Sequence, residues 1–371
     1  MIPFHKNTLD GFNSSVVNTD PTQFESYRIK CSNWFEQAEK YNRVYFVKSC
    51  TQSLELALMS LNLPPDSEVI LPSYSFVSLA NAINNLGHKC IFVDCEKDTM
   101  NISVDSLEAA ISPKTKAVVV INYAGVACDY DNLKQICTKH NLFLIEDNAH
   151  GIKAKYKGKL LGNFGDIATF SFDYLKNLNC YEGGAIIINR TELIPEFNIN
   201  YEFGTNKIEF LAGNSTFYEW RGKGSNSRLA PPLFPYLSFQ LEAAESIIAE
   251  FQRKWWLYQK YLEPLEAEGK IGRTVLPEYA EHNCHMFWFK TASIAERAKL
   301  IDYLKTRNIQ ASFHYTPLHP SKYGKLVGEF RGEDVNTTTE SEKLLRLPLF
   351  YSLKEEELNS IVDAILAFYR Q

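Results

Sequence analysis

Short apolar runs alternate with amphipathic stretches from residue 44 to about residue 190 of this chain. The runs are VYFV (44–47), EVILPS (68–73), CIFVD (90–94), AVVVINY (117–123), LFLIED (142–147), IATFSF (167–172) and GGAIIIN (183–189). Most of them are continuously apolar, which is typical of strands that are covered on both faces. Helical patterns lie between them, such as SLELALMSLNL and YDNLKQICTKHN. The alternation predicts an α/β fold with a largely parallel sheet and right-handed crossovers.

The second part of the chain has a different pattern. Residues 191–235 are irregular, and a long helical pattern then runs from about 237 to 268. A strand-like piece, MFWFKTA, and two amphipathic helical patterns complete the chain. Because 371 residues are more than one hydrophobic core usually serves, two domains are expected. We predict a large domain over residues 1–240 and a smaller α+β domain over residues 241–371.

Composition narrows the class of protein. The net charge of −5 gives no general basic surface, so nucleic acid and anionic membranes are not expected partners. No apolar run approaches the length of a membrane span, and MIPFHKNTLDG lacks the apolar region of a secretory signal. The eight cysteines form no C-x-x-C pair, which favours reduced thiols. We therefore expect a cytoplasmic protein.

Polar residues follow several of the predicted strands, at the sheet edge where α/β proteins bind ligands. The segment SCTQS (49–53) follows VYFV and opens a helix. Its hydroxyl groups and free helix-start N–H groups are suited to a phosphate. An ordinary helix cap by Ser49 or Thr51 is the alternative interpretation.

Asp147 ends the run LFLIED, and Lys176 lies four residues after IATFSF. Alone, Asp147 could cap a helix and Lys176 could be a solvated surface group. A pyridoxal 5′-phosphate (PLP) enzyme needs a carboxylate against the pyridine nitrogen and a lysine that binds the cofactor covalently and moves protons. The order of phosphate cradle, strand-end aspartate and post-strand lysine favours PLP, and partial desolvation would lower the pKa of Lys176.

Further candidates surround this set. Phe76 could be a core residue or could stack on the cofactor ring, and His150 could lie on a helix surface or bond the cofactor hydroxyl. The loop WRGKGSNSR (220–228), with Asn226 and Arg228, could be solvated or could meet an anionic phosphate. The segment FHYTPLHP lacks the spacing and carboxylates of a metal site, so core or substrate-contact roles are predicted for its His314, Tyr315 and His319.

Several motifs in order along the chain resemble the DegT/DnrJ/EryC1/StrS sugar aminotransferases. They are SCTQSLELAL, DSEVILPSYSFVSLANA, NYAGVACD, LIEDNAHG, GDIATFSFDYLKN, EGGAIIIN, FHYTPLH and LRLPLFY. The resemblance implies PLP-dependent transferase fold type I (aspartate aminotransferase-like), with a largely parallel seven-stranded sheet and a smaller C-terminal domain. It implies PLP as cofactor, with Lys176 and Asp147 as the catalytic pair.

The resemblance also implies roles for other residues. His150 and Phe76 correspond to positions near the cofactor ring, and Thr51, Gln52 and Ser171 to positions on its phosphate side. Asn226 and Arg228 fit a G-x-N-x-R element whose Asn reaches the cofactor phosphate of the neighbouring subunit. A homodimer with shared active sites follows from that correspondence.

Within the family, the motifs are most similar to transaminases that form dTDP-4-amino-4,6-dideoxygalactose. This implies L-glutamate as amino donor, dTDP-4-keto-6-deoxyglucose as acceptor and a role in deoxyamino-sugar supply for lipopolysaccharide or O-antigen. The gluco epimer at C4 and C3 amination of a dTDP-3-keto-6-deoxyhexose are alternatives. Sugar dehydration is disfavoured, because relatives that remove a hydroxyl carry His in place of Lys176. A non-enzymatic sensor or scaffold is the remote alternative.

The chain departs from the family pattern near the lysine. Asp173 replaces a His or aromatic residue, and the loop LNCYEGG is one residue shorter than in the most similar members. Asn122 stands where a His often precedes Tyr-Ala-Gly, and LAPPLFPYL replaces a run of small residues. These departures leave the catalytic set intact and bear on the identity of the sugar.

Overall fold

The computed structural model describes residues 1–7 and 19–370 of the chain. Residues 8–18 and Gln371 lie outside the described part. Both predicted domain ranges, 1–240 and 241–371, include some of them, and the division into these two domains stays a prediction.

The strands fall into one large sheet and two small ones. They are β1 Val44–Val47, β2 Glu68–Pro72, β3 Lys89–Val93, β4 Thr115–Ile121, β5 Phe143–Asn148, β6 Lys155–Tyr156, β7 Lys159–Leu160, β8 Ile167–Ser171, β9 Gly184–Ile188, β10 Gly272–Arg273, β11 Ala280–Glu281, β12 Phe287–Lys290, β13 Gly328–Phe330 and β14 Leu344–Leu347. The large sheet has eight strands in the order β1-β9-β8-β5-β4-β2-β3-β13. The two small sheets are β10-β12-β14 and β11-β6-β7.

The large sheet confirms the predicted α/β fold with a largely parallel sheet. Its neighbouring strands pair in parallel from β8 across to β13, whereas β9 is antiparallel to both β1 and β8. All seven predicted apolar runs form strands of this sheet. The eighth strand, β13, was not predicted, because its three residues, Gly-Glu-Phe, have no apolar pattern and their pairing with β3 is set by tertiary contacts.

Helices cover both faces of the large sheet and pack against the small β10-β12-β14 sheet. They are α1 Phe24–Asn33, α2 Cys50–Ser60, α3 Val77–Asn85, α4 Val104–Ala109, α5 Tyr130–His140, α6 Ile194–Tyr201, α7 Lys207–Leu211, α8 Phe234–Glu242, α9 Ala244–Ala267, α10 Ile294–Thr306, α11 Gly324–Val327, α12 Thr337–Lys343 and α13 Glu355–Tyr369. Side-chain caps fix several starts: Ser49 begins α2, Asp129 begins α5 and Ser293 begins α10.

The single long helix predicted over 237–268 is wrong in one respect, because the chain bends at Ala243. This residue has φ −96° and ψ 7°, and it separates α8 from α9. The two helices have different partners: α8 packs against α1, whereas α9 packs against α13 and β10. The apolar periodicity continues through Ala243, so it carried no signal for the break between the two helices.

The largest apolar cluster joins the two parts of the chain. It contains Phe35, Phe46 and Phe170 beside the large sheet and Trp255, Phe287 and Leu358 from the C-terminal half. Three residues of this set, Phe35, Phe46 and Phe170, also make edge-to-face ring contacts. The C-terminal elements are thereby held beside the sheet edge at which the parallel strands end.

Candidate active site

A cavity of about 670 Å³ lies at the carboxyl ends of the parallel strands. Its volume is within the usual range for a small-molecule site. Eight of the residues predicted from the sequence line it together: Thr51, Phe76, Asp147, His150, Ser171, Lys176, His314 and Tyr315. They come from separate strand ends and from the segment after α10, so only the fold brings them together.

The start of α2 forms one wall of the cavity. The Ser49 hydroxyl accepts a hydrogen bond from the Gln52 backbone N–H at 3.1 Å, which confirms the capping interpretation for Ser49. The hydroxyl groups of Thr51 and Ser78 lie 2.9 Å apart. The first N–H groups of a helix have no acceptor within the helix, so this wall offers donors and a positive dipole end to an anion. Phosphate binding and capping are therefore compatible here.

Lys176 and Asp147 are placed in the cavity by two neighbouring strands. Asp147 lies in β5 and is 2% exposed, and its carboxylate accepts the Ala149 backbone N–H at 2.9 Å. The thiol of Cys50 lies 3.7 Å from the same oxygen. Burial raises the pKa of Asp147, whereas this N–H group and the nearby Lys176 lower it. A buried carboxylate with so few donors is suited to a ligand group that brings a proton and a positive charge.

Lys176 lies in the turn after β8, where its backbone N–H bonds the Asp173 carbonyl at 2.9 Å. Burial lowers the pKa of the Lys176 amine, and the acidic neighbours Cys50, Asp147 and Asp173 offset part of that decrease. A larger share of this amine is therefore unprotonated near neutral pH than for a surface lysine. An unprotonated amine can act as a nucleophile and as a base.

Two histidines are stacked in the cavity wall. The rings of His150 and His285 are 4.4 Å apart at 22°. Burial lowers the pKa of both imidazoles well below the usual range, so they are neutral. The Ala124 backbone N–H donates to Nδ1 of His150 at 3.3 Å, which places the imidazole proton on Nε2. His150 is thus a hydrogen-bond donor at Nε2.

Aromatic rings occupy another side of the cavity. Phe76 is about half exposed, and its ring centroid lies 6.0 Å from that of Tyr315. Tyr315 also contacts Tyr74 and Tyr123, and the Tyr123 hydroxyl donates to the His314 carbonyl at 2.9 Å. The flat, apolar surface of Phe76 can therefore meet a planar ring inside the cavity.

Four of the predicted residues do not line this cavity within one chain. Gln52 points along α2, with its amide 3.4 Å from the Glu55 carboxylate. Asn226 and Arg228 line a separate groove of about 1170 Å³, where Arg228 pairs with Glu202 at 3.3 Å. His319 lies beside β2 and β13. Its Nδ1 is 2.7 Å from the Ser73 hydroxyl and its Nε2 is 3.4 Å from Asp334. The roles predicted for these four residues stay predictions.

The residues that line the cavity include two with ionisable side chains, Arg346 and His285, that were not predicted from the sequence. Arg346 lies in β14, and His285 lies just before β12. A lone charge in the apolar run LLRLPLF was a signal for Arg346, because charged residues are rarely buried unless they are paired or functional. His285 had no comparable signal in the sequence.

Within residues 1–7 and 19–370, no helix is long and apolar enough to cross a membrane. No group of three or more His, Cys, Asp or Glu side chains in that part is arranged to hold a metal ion. All eight cysteines are free thiols, and all except Cys50 are buried.

Comparison with known proteins gives consistent matches. The model of the DegT/DnrJ/EryC1/StrS aminotransferase family matches residues 34–366. An uncharacterised protein of Methanocaldococcus jannaschii is 31% identical over 326 residues, which cover 86% of this chain and 84% of that protein. The spore coat polysaccharide biosynthesis protein SpsC of Bacillus subtilis is 29% identical over 334 residues, covering 86% and 83%. A candidate sugar aminotransferase of Streptococcus pneumoniae, solved in its PLP form, matches with a TM-score of 0.83 at 24% identity, covering 100% and 98%.

Proposed function

Because this chain belongs to the DegT/DnrJ/EryC1/StrS aminotransferase family, we propose that it transfers an amino group from L-glutamate to a nucleotide-linked keto-sugar. The acceptor in this proposal is dTDP-4-keto-6-deoxyglucose, and the product is a dTDP-4-amino-4,6-dideoxyhexose with the galacto configuration. The reaction takes place in the cytoplasm. The observation that carries the proposal is the pair formed by Lys176, with its lowered pKa, and the buried Asp147 in one cavity.

The cofactor is PLP, and the cavity has a suitable group for each part of it. The α2 start, with Thr51 and Ser171 beside it, suits the phosphate. Asp147 suits the pyridine nitrogen, Phe76 suits a ring face, and His150 suits the ring oxygen through its Nε2 proton. PLP supplies an electron sink that stabilises negative charge on the substrate carbon.

Residues of the chain itself carry out the proton transfers. Lys176 would hold the cofactor covalently, and its amine would take the proton from the α-carbon of glutamate. In the second half of the reaction the same amine delivers a proton to the sugar carbon that receives nitrogen. Asp147 would keep the pyridine nitrogen protonated, and the neutral His150 would donate a hydrogen bond without adding charge.

We propose further that the active unit is a homodimer with shared sites. In a single chain, Asn226 and Arg228 are exposed and lie in a groove apart from Lys176. A second copy that covers this groove would bring Asn226 to the phosphate side of its neighbour's cavity and Arg228 to the substrate. Large exposed apolar side chains in the preceding segment, Phe217 and Trp220 among them, support contact with another molecule.

The proposal is tested by incubating the PLP-loaded protein with L-glutamate and dTDP-4-keto-6-deoxyglucose. NMR of the product identifies the carbon that carries nitrogen and its configuration. We expect nitrogen at C4 in the galacto configuration, and we expect Lys176→Ala to lose essentially all turnover. Formation of the gluco epimer, or of a product with nitrogen at C3, would contradict the galacto assignment and identify the product instead. No reaction would contradict the proposed acceptor, and wild-type turnover by Lys176→Ala would contradict the proposed role of the lysine.

A further inference from the structure

The two stacked histidines of the cavity wall, His150 and His285, carry their protons on different nitrogen atoms. The His150 proton is on Nε2, because the Ala124 backbone N–H donates to Nδ1. The His285 ring has a different partner. Its Nδ1 lies 2.6 Å from Oδ1 of Asn177, the residue that follows Lys176 in the chain.

The orientation of the Asn177 amide assigns the proton of His285. The Nδ2 group of Asn177 donates to the Asn283 backbone carbonyl at 3.2 Å, and a carbonyl oxygen can only accept. Oδ1 of Asn177 therefore faces His285 and is itself an acceptor, so Nδ1 of His285 is the donor. In the neutral imidazole of His285 the proton is thus on Nδ1, and Nε2 carries none.

The surroundings of His285 keep its ring neutral. Burial is the largest cause that lowers the pKa of this imidazole well below the usual range. The ionisable neighbours that lower it further are Lys176, Arg346, His314 and His5. Burial and the charge of Lys176 act in the same direction on the pKa of His150. The two rings, 4.4 Å apart, therefore pack without the repulsion that two imidazolium ions would have.

The two histidines are also joined through their backbones. The Asn283 side chain donates to the His150 carbonyl at 2.7 Å and accepts the His285 backbone N–H at 3.1 Å. A Cβ atom at Gly125, where φ is +83°, would overlap the Asn283 side chain, so this connection is closely packed. One face of the His150 ring is therefore covered by a ring that is itself fixed at its backbone and at Nδ1.

We propose that His285 is a positioning residue for His150. Its ring, held by Asn177, fixes the plane of the His150 ring and so directs the Nε2–H donor at the oxygen of the cofactor ring. This inference rests on the proposed role of His150. A His150 ring that could tilt would lose the near-linear geometry on which a hydrogen bond depends. Because Asn177 is adjacent to Lys176, the same contact also sets the histidine pair relative to the lysine.

The effect can be measured on the bound cofactor without turnover. The oxygen of the cofactor ring lies next to the group that links PLP to Lys176, and its negative charge helps that link to retain a proton. A hydrogen bond to the oxygen withdraws part of this charge, so it lowers the pKa at which the absorbance of the bound cofactor changes. A misdirected His150 donor should therefore raise that pKa.

His285→Asn is the principal variant, because an asparagine amide can still donate to Asn177 but has no ring to stack. We expect it to raise the pKa of the absorbance change, in the same direction as His150→Phe. His285→Phe keeps a ring without the N–H donor and should return the pKa toward the wild-type value. The matched control is His282→Asn, at a buried histidine of the same segment that contacts Trp255 instead, and it should leave the pKa unchanged.

A double variant separates positioning from a direct effect on the cofactor. In the His150→Phe background, His285→Asn should no longer shift the pKa, because the donor that His285 directs is absent. The inference is overturned if His285→Asn leaves the wild-type pKa unchanged, or if it shifts the pKa equally in both backgrounds. An unchanged pKa in His150→Phe would contradict the proposed role of His150, and the inference would fall with it.

A second measurement uses the wild type and does not depend on a folded variant. Nitrogen NMR of the PLP-loaded protein with isotope-labelled histidine should show His285 neutral with its proton on Nδ1 and His150 neutral with its proton on Nε2. The same tautomer at both residues, or a protonated His285 near neutral pH, would overturn the inference. Failure of the keto-sugar reaction, with the expected absorbance shifts intact, would count against the proposed acceptor alone.

Discussion

Asp173 and Lys176 lie in the same turn, and the negative charge of Asp173 raises the pKa of the lysine amine against the effect of burial. This aspartate is one of the departures from the family pattern. The sequence resemblance implies a His or an aromatic residue at this position, whereas Asp173 adds a negative charge that acts on the amine.

We predict that Asp173→Asn lowers the pKa of Lys176 further, because a nearby negative charge is removed. The unprotonated amine is then available at lower pH, so the acid limb of the kcat/KM profile should move to lower pH. Asp173→Glu, which keeps the charge, is the control and should retain the wild-type profile. A shift toward higher pH would show that Asp173 acts in another way.

At this scale the sequence identified eight of the residues that line the cavity. Asp147 and Lys176 could be found because each follows a strand, and parallel strands end at one edge. Arg346 and His285 could not be placed in the same way, because they come from the C-terminal half and reach the cavity only through packing against the large sheet. The spacing of residues along the sequence does not show which distant segments pack against the large sheet.

The added edge strand β13 has a specific anchor in the large sheet. The Arg331 guanidinium donates to the Glu68 carboxylate of β2 at 2.8 and 2.9 Å, and the Ser112 hydroxyl donates to it at 2.6 Å. These donors hold the pKa of Glu68 down at about 2, with the Arg331 hydrogen bonds as the largest cause. The Lys89–Glu329 pair lies beside them but is largely exposed.

We predict that Glu68→Gln lowers the free energy of unfolding by about 3 kcal/mol at pH 7, because Arg331 loses the carboxylate of a mostly buried pair. The pKa of Glu68 is lower in the folded than in the unfolded chain, whose value is about 4.3. The stabilisation is therefore complete above that value and is lost as the pH falls toward 2. Urea unfolding should give a smaller difference between wild type and variant at pH 3 than at pH 7. Glu329→Gln, at the exposed partner of the same arginine, should cost less than about 1 kcal/mol, and an equal loss in both variants would contradict the assignment.

At the scale of elements, continuous apolar runs were sufficient to predict the strands. Seven runs gave seven strands, because strands buried on both faces need apolar residues at every position. The pattern failed where an element depends on a distant partner. Strand β13 forms because β3 offers a free edge, and the bend at Ala243 follows from the different partners of α8 and α9.

At the scale of the whole molecule, the positions of the cavity and of the groove bear on whether one chain holds a complete active site. In a single chain, the cavity with Lys176 and the groove with Asn226 are separate. In the proposed homodimer, the G-x-N-x-R element of one copy serves the cavity of the other. Closed twofold dimers, in which both chains contribute the same surface to one interface, are the commonest assemblies of identical chains.

We predict that two inactive variants, Lys176→Ala and Asn226→Asp, restore activity when they are unfolded together and refolded as a mixture. In a mixed dimer with shared sites, one cavity combines the intact Lys176 of one chain with the intact Asn226 of the other, and the second cavity carries both changes. Random pairing makes half of the dimers mixed, so about a quarter of wild-type activity is expected.

The matched control pairs Lys176→Ala with Asp147→Ala, two residues that line the cavity of the same chain. Each cavity of that mixed dimer keeps one damaged residue, so no activity should return. Restoration in the control mixture would mean that the cavity itself is built from two chains. No restoration in the Lys176→Ala and Asn226→Asp mixture, with dimers verified by light scattering, would mean that Asn226 serves its own chain. Because the two mixtures differ only in the groove residue, their comparison assigns the element to one subunit or the other.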